Sequence, residues 1–212
     1  MKAKNLLDSV RRELAPLNEL IFSHPYLNDV EKGRLPLEKV KRFVEQQYYI
    51  VSHDVKSLAI MLSRAKGREV DFFNLLLQGD IQALSNLIKM AGGLGLSIED
   101  LEAFDPSPES VAYTHYLAFL ANYANAGEQA LALVVNLPVW GSACGKLSKG
   151  LKTNYSLTDT SFLEAFASTP EWIETQALEI IEPYLPEHER RIRRAAKLIQ
   201  GYELMFWNGI SR

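Results

Sequence analysis

The chain has a single cysteine and only four histidines in 212 residues. One thiol excludes an internal disulfide and fits a reducing compartment. His24, His53, His115 and His188 stand apart, so no pair has the short spacing of a zinc motif; Cys144 has no cysteine or histidine near it. Glu45 and His53 do not fall on one helix face, so neither a metal nor another cofactor is expected. Charge of one sign is missing too: 23 Lys and Arg against 26 Asp and Glu leave a formal net charge of −3. Such a balance offers no general attraction to nucleic acid. Long hydrophobic runs are absent. The stretch Ala130 to Val135 is far short of the roughly 20 residues that span a bilayer, and Met1 to Leu7 lacks the apolar core of a signal peptide. A cytoplasmic protein with no nucleic-acid or membrane partner is expected. Strand-like alternation, fixed-period repeats and low-complexity linkers are also lacking. Gly92-Gly93-Leu94-Gly95 has no following Lys and Ser or Thr, so it is no phosphate loop. No Ser-His-Asp set stands out.

What the chain does have is helical periodicity almost throughout, which predicts a single all-α domain over residues 1–212. Leu6, Leu7, Val10, Leu14, Leu17, Leu20 and Ile21 recur at helical spacing, with Pro16 expected to break or kink the run. Between Leu37 and Ala65 the apolar positions form one broad face. Two polar residues share that face: Gln47, four from Phe43 and Val51, and Asp54, four from Ile50 and Leu58. They either meet neighbouring helices and are satisfied there, or they line a polar spot in a pocket. Further helices are expected over Glu69 to Ala91, over Ile98 to Phe104 behind a Ser97–Asp100 capping box, and over Ser110 to Tyr123. The last of these puts Tyr113 and Tyr116 on one side, and buried phenols need a partner for the hydroxyl. Asn125-Ala126-Gly127 is expected to break the pattern. The apolar helix that follows holds NLPVWGSACG, Asn136 to Gly145, where Pro138 and Gly141 favour a kink that presents side chains to a cavity. Thr158 or Asp159 would cap a helix carrying Phe162 and Phe166.

The final helix, from about Glu187 to Ile210, has two distinct halves. Arg190, Arg191, Arg193, Arg194 and Lys197 are offset by Glu182, Glu187 and Glu189, with no interleaved aromatics to stack bases, so they read as a solvated face. Ile199, Glu203, Phe206, Trp207 and Ile210 form one stripe, which sets the Glu203 carboxyl among aromatic rings. A charge there is costly unless it is paired or the group keeps its proton. A carboxyl with a raised pKa is a good proton donor near neutral pH, which makes Glu203 the leading catalytic candidate.

Four stretches in order, His24-Pro25-Tyr26, Gln46-Gln47-Tyr48, Ala112-Tyr113-Thr114-His115-Tyr116 and Glu203-Leu204-Met205-Phe206-Trp207, resemble the TenA (thiaminase II) and PqqC superfamily over almost the whole chain. The resemblance implies the heme-oxygenase-like helical bundle, an enclosed aromatic pocket for a small heteroaromatic such as a thiamin-related pyrimidine, and a homo-oligomer, dimer or tetramer. Glu203 matches the family's terminal glutamate, and Tyr116 or Tyr113 its pocket tyrosine. The family's nucleophilic cysteine, one residue after a proline, falls on Val139; its aspartate falls on Gln47, and a further pocket tyrosine on Phe166. Cys144 substitutes for the nucleophile only if it faces the same cavity, and five residues beyond Val139 it is about 140° round an ideal helix. Ligand-binding positions implied or read from the pattern are Gln47, Ile50, Asp54, Tyr113, Tyr116, Val139, Phe166 and Phe206. The di-iron relatives of this fold carry metal ligands where Phe162 and Phe166 stand. Three readings follow: a hydrolase with Glu203 as proton donor, a noncatalytic binding or interaction protein, and a PqqC-like oxidase, for which basic and histidine contacts are not evident. A DNA-binding regulator finds no support in the charge or in a helix-turn-helix.

Overall fold

The computed structural model describes residues 2–212; Met1, which the periodicity places at the start of the first helix, lies outside the described residues. No strand occurs among them, and the order is α1 (Lys2–Phe22), α2 (Pro25–Glu31), α3 (Leu37–Arg64), α4 (Arg68–Gly93), α5 (Ile98–Ala103), α6 (Pro108–Tyr123), α7 (Ala126–Asn154), α8 (Ser161–Phe166), α9 (Glu171–Ile181) and α10 (Leu185–Ser211). A short 3-10 turn, Glu182–Tyr184, links the last two.

Local chemistry sets most of these boundaries. His24 caps α2 by accepting a hydrogen bond from the Tyr26 amide on Nδ1 at 3.2 Å, and Pro25 and Pro36 stand where a proline costs no helical bond. Gly67, with φ +54, turns the chain between α3 and α4 in a conformation that a Cβ would strain. The Ser97–Asp100 capping box is present at α5. The expected break at Pro16 is not one, and the expected break at Asn125-Ala126-Gly127 falls at Ala124 and Asn125, between α6 and α7. α1 runs straight through Pro16, which is exposed, so the carbonyl left without a partner faces water. Asn125 begins α7 with a reciprocal capping box, accepting from the Glu128 amide while the Glu128 carboxylate accepts from its own. Two orphan amides are thereby satisfied, and Gly127 sits inside the helix because a Cβ there would press on Tyr184.

α7 carries the core. It has the length and composition of a membrane span, but here it packs against α1, α2, α8, α9 and α10. Two apolar clusters form around it. One includes Leu58, Leu117, Leu131, Ala195 and Ile199; the other includes Ile50, Phe43, Phe162, Phe206 and Trp207. The residues of the cavity described next come from both clusters, so it opens at the seam where they meet.

Arg191, Arg193 and Lys197 on α10 pair with Glu128, with Glu13 and Glu189, and with Glu13. That half of α10 is an ion-paired helix face.

Candidate active site

Rows of residues from α3, α4, α6, α7, α8 and α10 converge on one cavity. Gln47, Ile50, Val51, Asp54 and Leu58 come from α3 at three- and four-residue steps. α6 supplies Tyr113 and Leu117; α7 supplies Leu133, Asn136, Leu137 and Trp140; Glu203 and Phe206 come from α10. Leu76 and Asp80 close the α4 side, and Phe162 and Phe166 the α8 side. The aromatic wall is built edge to face: Trp140 meets Phe206 at a centroid distance of 5.8 Å and Phe166 at 6.2 Å, and Phe162 meets Phe166 at 5.5 Å. Such pairs fix the rings against one another along the cavity wall.

Glu203 is 2 % exposed and tightly held. Its Oε2 accepts from Asn136 Nδ2 at 2.7 Å and from Gln200 Nε2 at 3.0 Å, while Oε1 accepts from Trp207 Nε1 at 3.3 Å. The Tyr113 hydroxyl donates to Asn136 Oδ1 at 3.0 Å, which fixes the Asn136 amide with its NH2 towards Glu203. The three donors favour the anion, yet no cation is near, and burial outweighs them: the carboxyl is pushed up to about 8. Glu203 therefore holds a proton at neutral pH. With Oε2 taken by two strong donors, that proton belongs on Oε1, whose single protein partner is long.

Two more carboxyls line the cavity. Asp54 takes a hydrogen bond from the Thr114 hydroxyl on Oδ1. Burial pushes its pKa well up, and the charge of Asp80 pushes it further. Burial raises Asp80 to about 7. These shifts carry a stability signature. For Glu203 and Asp80 the folded-state values, about 8 and about 7, lie above the ordinary 4.5 and 3.8. Their contribution is fully present below the ordinary values and is lost as pH rises through the folded ones, at ~1.4 kcal/mol per pH unit per group. The ligand-free protein should thus lose stability steadily from about pH 4.5 to about pH 8 in urea titrations. Glu203→Gln should flatten that slope, and an unchanged slope would contradict the burial argument.

The structure brings Glu203, Gln47, Ile50, Asp54, Tyr113, Phe166 and Phe206 to the cavity, and leaves Tyr116, Val139 and Cys144 away from it. Tyr116 lies in an outer groove, beside Tyr202 and Phe119; the inward row of α6 is Tyr113 and Leu117. At about 100° per residue, Val139 falls off the row Leu133, Asn136, Leu137, Trp140 and is buried in the neighbouring apolar cluster. Cys144 lies one turn beyond Trp140, the last α7 residue on the cavity, and its thiol is packed in the neighbouring apolar cluster. It is fully buried, and burial together with the nearby Glu203 raises its pKa well above the ordinary value. A neutral, enclosed thiol is not a nucleophile. Cys144→Ala is expected to leave ligand binding and any turnover unchanged, measured on purified protein. The residues that the sequence reading missed are Asp80 and the Asn136–Gln200 support of Glu203. Asp80 had a signal: it stands four residues from both Leu76 and Leu84, the same pattern that marks Asp54. Among the described residues no three His, Cys, Asp or Glu side chains are grouped as a metal site needs.

Residues 11–212 match the TENA/THI-4/PQQC family. A curated relative, the aminopyrimidine aminohydrolase of Halalkalibacterium halodurans, is 28% identical over 118 residues, 53% of this chain and 51% of that protein. The match thus spans about half the length of the curated relative. Among solved structures, the TenA homologue protein from P. horikoshii OT3 superposes with a TM-score of 0.79 at 24% identity, covering 97% of each chain. A domain of unknown function with a heme oxygenase-like fold from Shewanella denitrificans OS217 gives 0.71 at 14% identity, covering 97% of this chain and 91% of that one.

Proposed function

The chain belongs to the TENA/THI-4/PQQC family, and from that premise we propose that it binds a small, flat, nitrogen-rich heteroaromatic of the aminopyrimidine class and hydrolyses a carbon–nitrogen bond on it, with Glu203 as proton donor. The observation that carries this reading is the Glu203 carboxyl, buried beside an aromatic wall with its pKa pushed up to about 8 and one oxygen anchored by Asn136 and Gln200. An aminopyrimidine has basic ring nitrogens to accept a proton and an amino group to donate one, and the cavity's carboxyls and Gln47 answer both. The charge pattern also selects among the family's chemistries. Asp54, Asp80 and Glu203 line the cavity and no Lys, Arg or His does, so nothing there pairs the carboxylates of a polyanionic quinone precursor, and a cationic or neutral ring is favoured.

In the hydrolytic step water adds to the carbon, the carbon–nitrogen bond breaks, and the nitrogen leaves with the proton of Glu203. The proton lost by the water then restores the acid. Asn136 and Gln200 are positioning residues: they hold Oε2 so that Oε1 faces the ring. The free space is about 80 Å³, about half of the ~150 Å³ that holds benzene in an engineered apolar cavity. Ring entry therefore requires the partly exposed Trp140 or Phe166 to swing aside.

One observation favours a second reading, binding without turnover: no Cys, Ser, Lys or His lines the cavity to act as nucleophile. Calorimetry and an ammonia-release assay with substituted 4-aminopyrimidines and thiamin degradation products separate the two. Binding with ammonia release supports the hydrolase, binding alone supports the second reading, and no binding by any of them defeats both.

A further inference from the structure

The outer side of α6 and α10, facing away from the cavity, carries a second hollow. Its free volume is about 680 Å³, within the ~300–1,000 Å³ of small-molecule clefts, against about 80 Å³ in the central cavity. Helical rows build it: Tyr116, Phe119 and Tyr123 follow three- and four-residue steps on α6 and meet Leu198 and Tyr202 of α10. The rings form a ladder. Tyr116 lies 5.8 Å from Phe119 with the two planes 12° apart, and 5.0 Å from Tyr202, while Phe119 lies 5.3 Å from Tyr123. Phe119 is 52% exposed and Tyr123 72%, so this ladder ends in bare ring faces, and apolar surface gathered in this way marks an interaction site.

The arginines that lacked stacking partners in the α10 sequence gain them here from α6. Arg191 and Arg194 are the only Lys or Arg on the groove among the described residues. Arg191 forks onto Glu128, from Nε to Oε1 at 3.3 Å and from Nη2 to Oε2 at 2.9 Å, so that pair is neutral. Arg194 makes no ion pair, and the Tyr116 and Tyr202 hydroxyls no hydrogen bond, among the described residues. Burial raises the Tyr116 hydroxyl to about 12, and the charge of Arg194 acts on it in the opposite direction, which sets the guanidinium near that oxygen. One surplus cation, two free phenol donors and bare rings call for a flat ring joined to a single anion. We propose that the groove binds an aromatic phosphate monoester of nucleotide size, its ring on Phe119 and Tyr123 and its phosphate on Arg194, with the Tyr116 and Tyr202 hydroxyls donating to phosphate oxygens. A nucleic-acid strand fits less well, because successive phosphates need a row of cations and the groove has one to spare. A second copy of the chain also fits less well: in a two-fold contact the groove meets the same groove, and neither hollow is filled.

Calorimetry on the full chain with inosine 5′-phosphate, inosine and ribose 5-phosphate separates the ring from the anion. Hypoxanthine carries no amino group, which keeps these probes apart from the ligand class assigned to the central cavity. Inosine 5′-phosphate should bind about 10- to 100-fold more tightly than either fragment, the range of a charge-assisted hydrogen bond and of one base stacked on an aromatic ring. Arg194→Gln should erase its advantage over inosine, and Phe119→Ala its advantage over ribose 5-phosphate; both side chains are exposed, so both variants should fold. Neither residue lines the central cavity, so aminopyrimidine binding should be unchanged in both. No binding of inosine 5′-phosphate, binding no tighter than either fragment, or binding intact in both variants overturns the proposal. Hexauridylate that binds more than 10-fold more tightly than inosine 5′-phosphate identifies a strand as the partner and overturns it too. Sedimentation velocity supplies the last check. An oligomer that Phe119→Ala or Tyr123→Ala dissociates shows the groove covered by a second copy and overturns the proposal, whereas an assembly state untouched by both variants, together with the expected affinities, supports it.

Discussion

Glu203→Gln is expected to lower aminopyrimidine hydrolysis by about 10²- to 10⁴-fold, the range that a positioned general acid supplies, with most of the loss in kcat. The glutamine keeps the size of the side chain and an oxygen for Asn136 and Gln200, so the ring's binding should change much less than the rate. The pH profile gives the sharper version. Glu203 acts as an acid and titrates near about 8, so the wild-type rate should hold below that value and fall as pH rises through it; the residual rate of the variant should lack that limb. Stability should move the other way. Because ionising Glu203 burdens the folded state, the glutamine variant should be at least as stable as wild type above about pH 8. A loss of activity that only tracks a loss of folded protein would contradict the assignment.

The second large effect comes from a glycine. In α7 a Cβ on Gly141 would fall inside the contact distance of the Phe166 carbonyl oxygen, and this neighbour is backbone. One of the two helices must shift, so Gly141→Ala should destabilise the protein by about 1–3 kcal/mol, as overpacking does, lowering Tm by about 2–4 °C per kcal/mol in a chain of this size. Since α8 carries Phe166 onto the cavity, ligand affinity should drop with it. Gly201→Ala is the control. This glycine sits in α10 with open space where its Cβ would go, so the same substitution should stabilise by about 0.5–1 kcal/mol. Equal effects at the two sites would contradict the packing of α8 on α7.

Much of the bundle is legible in the sequence because helical phase is a local property. Residues three and four apart share a face, so Gln47, Ile50 and Asp54 can be placed together, and Glu203 with Phe206, before any coordinates exist. Phase does not say which neighbour a face will meet. Tyr113 and Tyr116 both fall on the broad inner half of α6, but one turns to the cavity and the other to the outer groove. Val139 and Cys144 fail for a related reason: α7 is buried on nearly every side, so being apolar or buried distinguishes no face of it. The support of Glu203 comes from Asn136, 67 residues earlier, a contact that only tertiary packing makes. Asp80 and the Asn125 capping box were legible in principle, since each carries a local signal: Asp80 is four residues from Leu76 and Leu84, and Asn125 is three from Glu128.

The account turns on whether Glu203 keeps its proton in the folded protein at neutral pH. Infrared difference spectroscopy of wild type against Glu203→Gln across a pH titration reads this directly, through the C=O stretch of the protonated carboxyl. The account predicts a band present at pH 7, absent from the variant, and lost from wild type with a midpoint near about 8. A Glu203 band that disappears near 4.5, where an ordinary glutamate ionises, would contradict it.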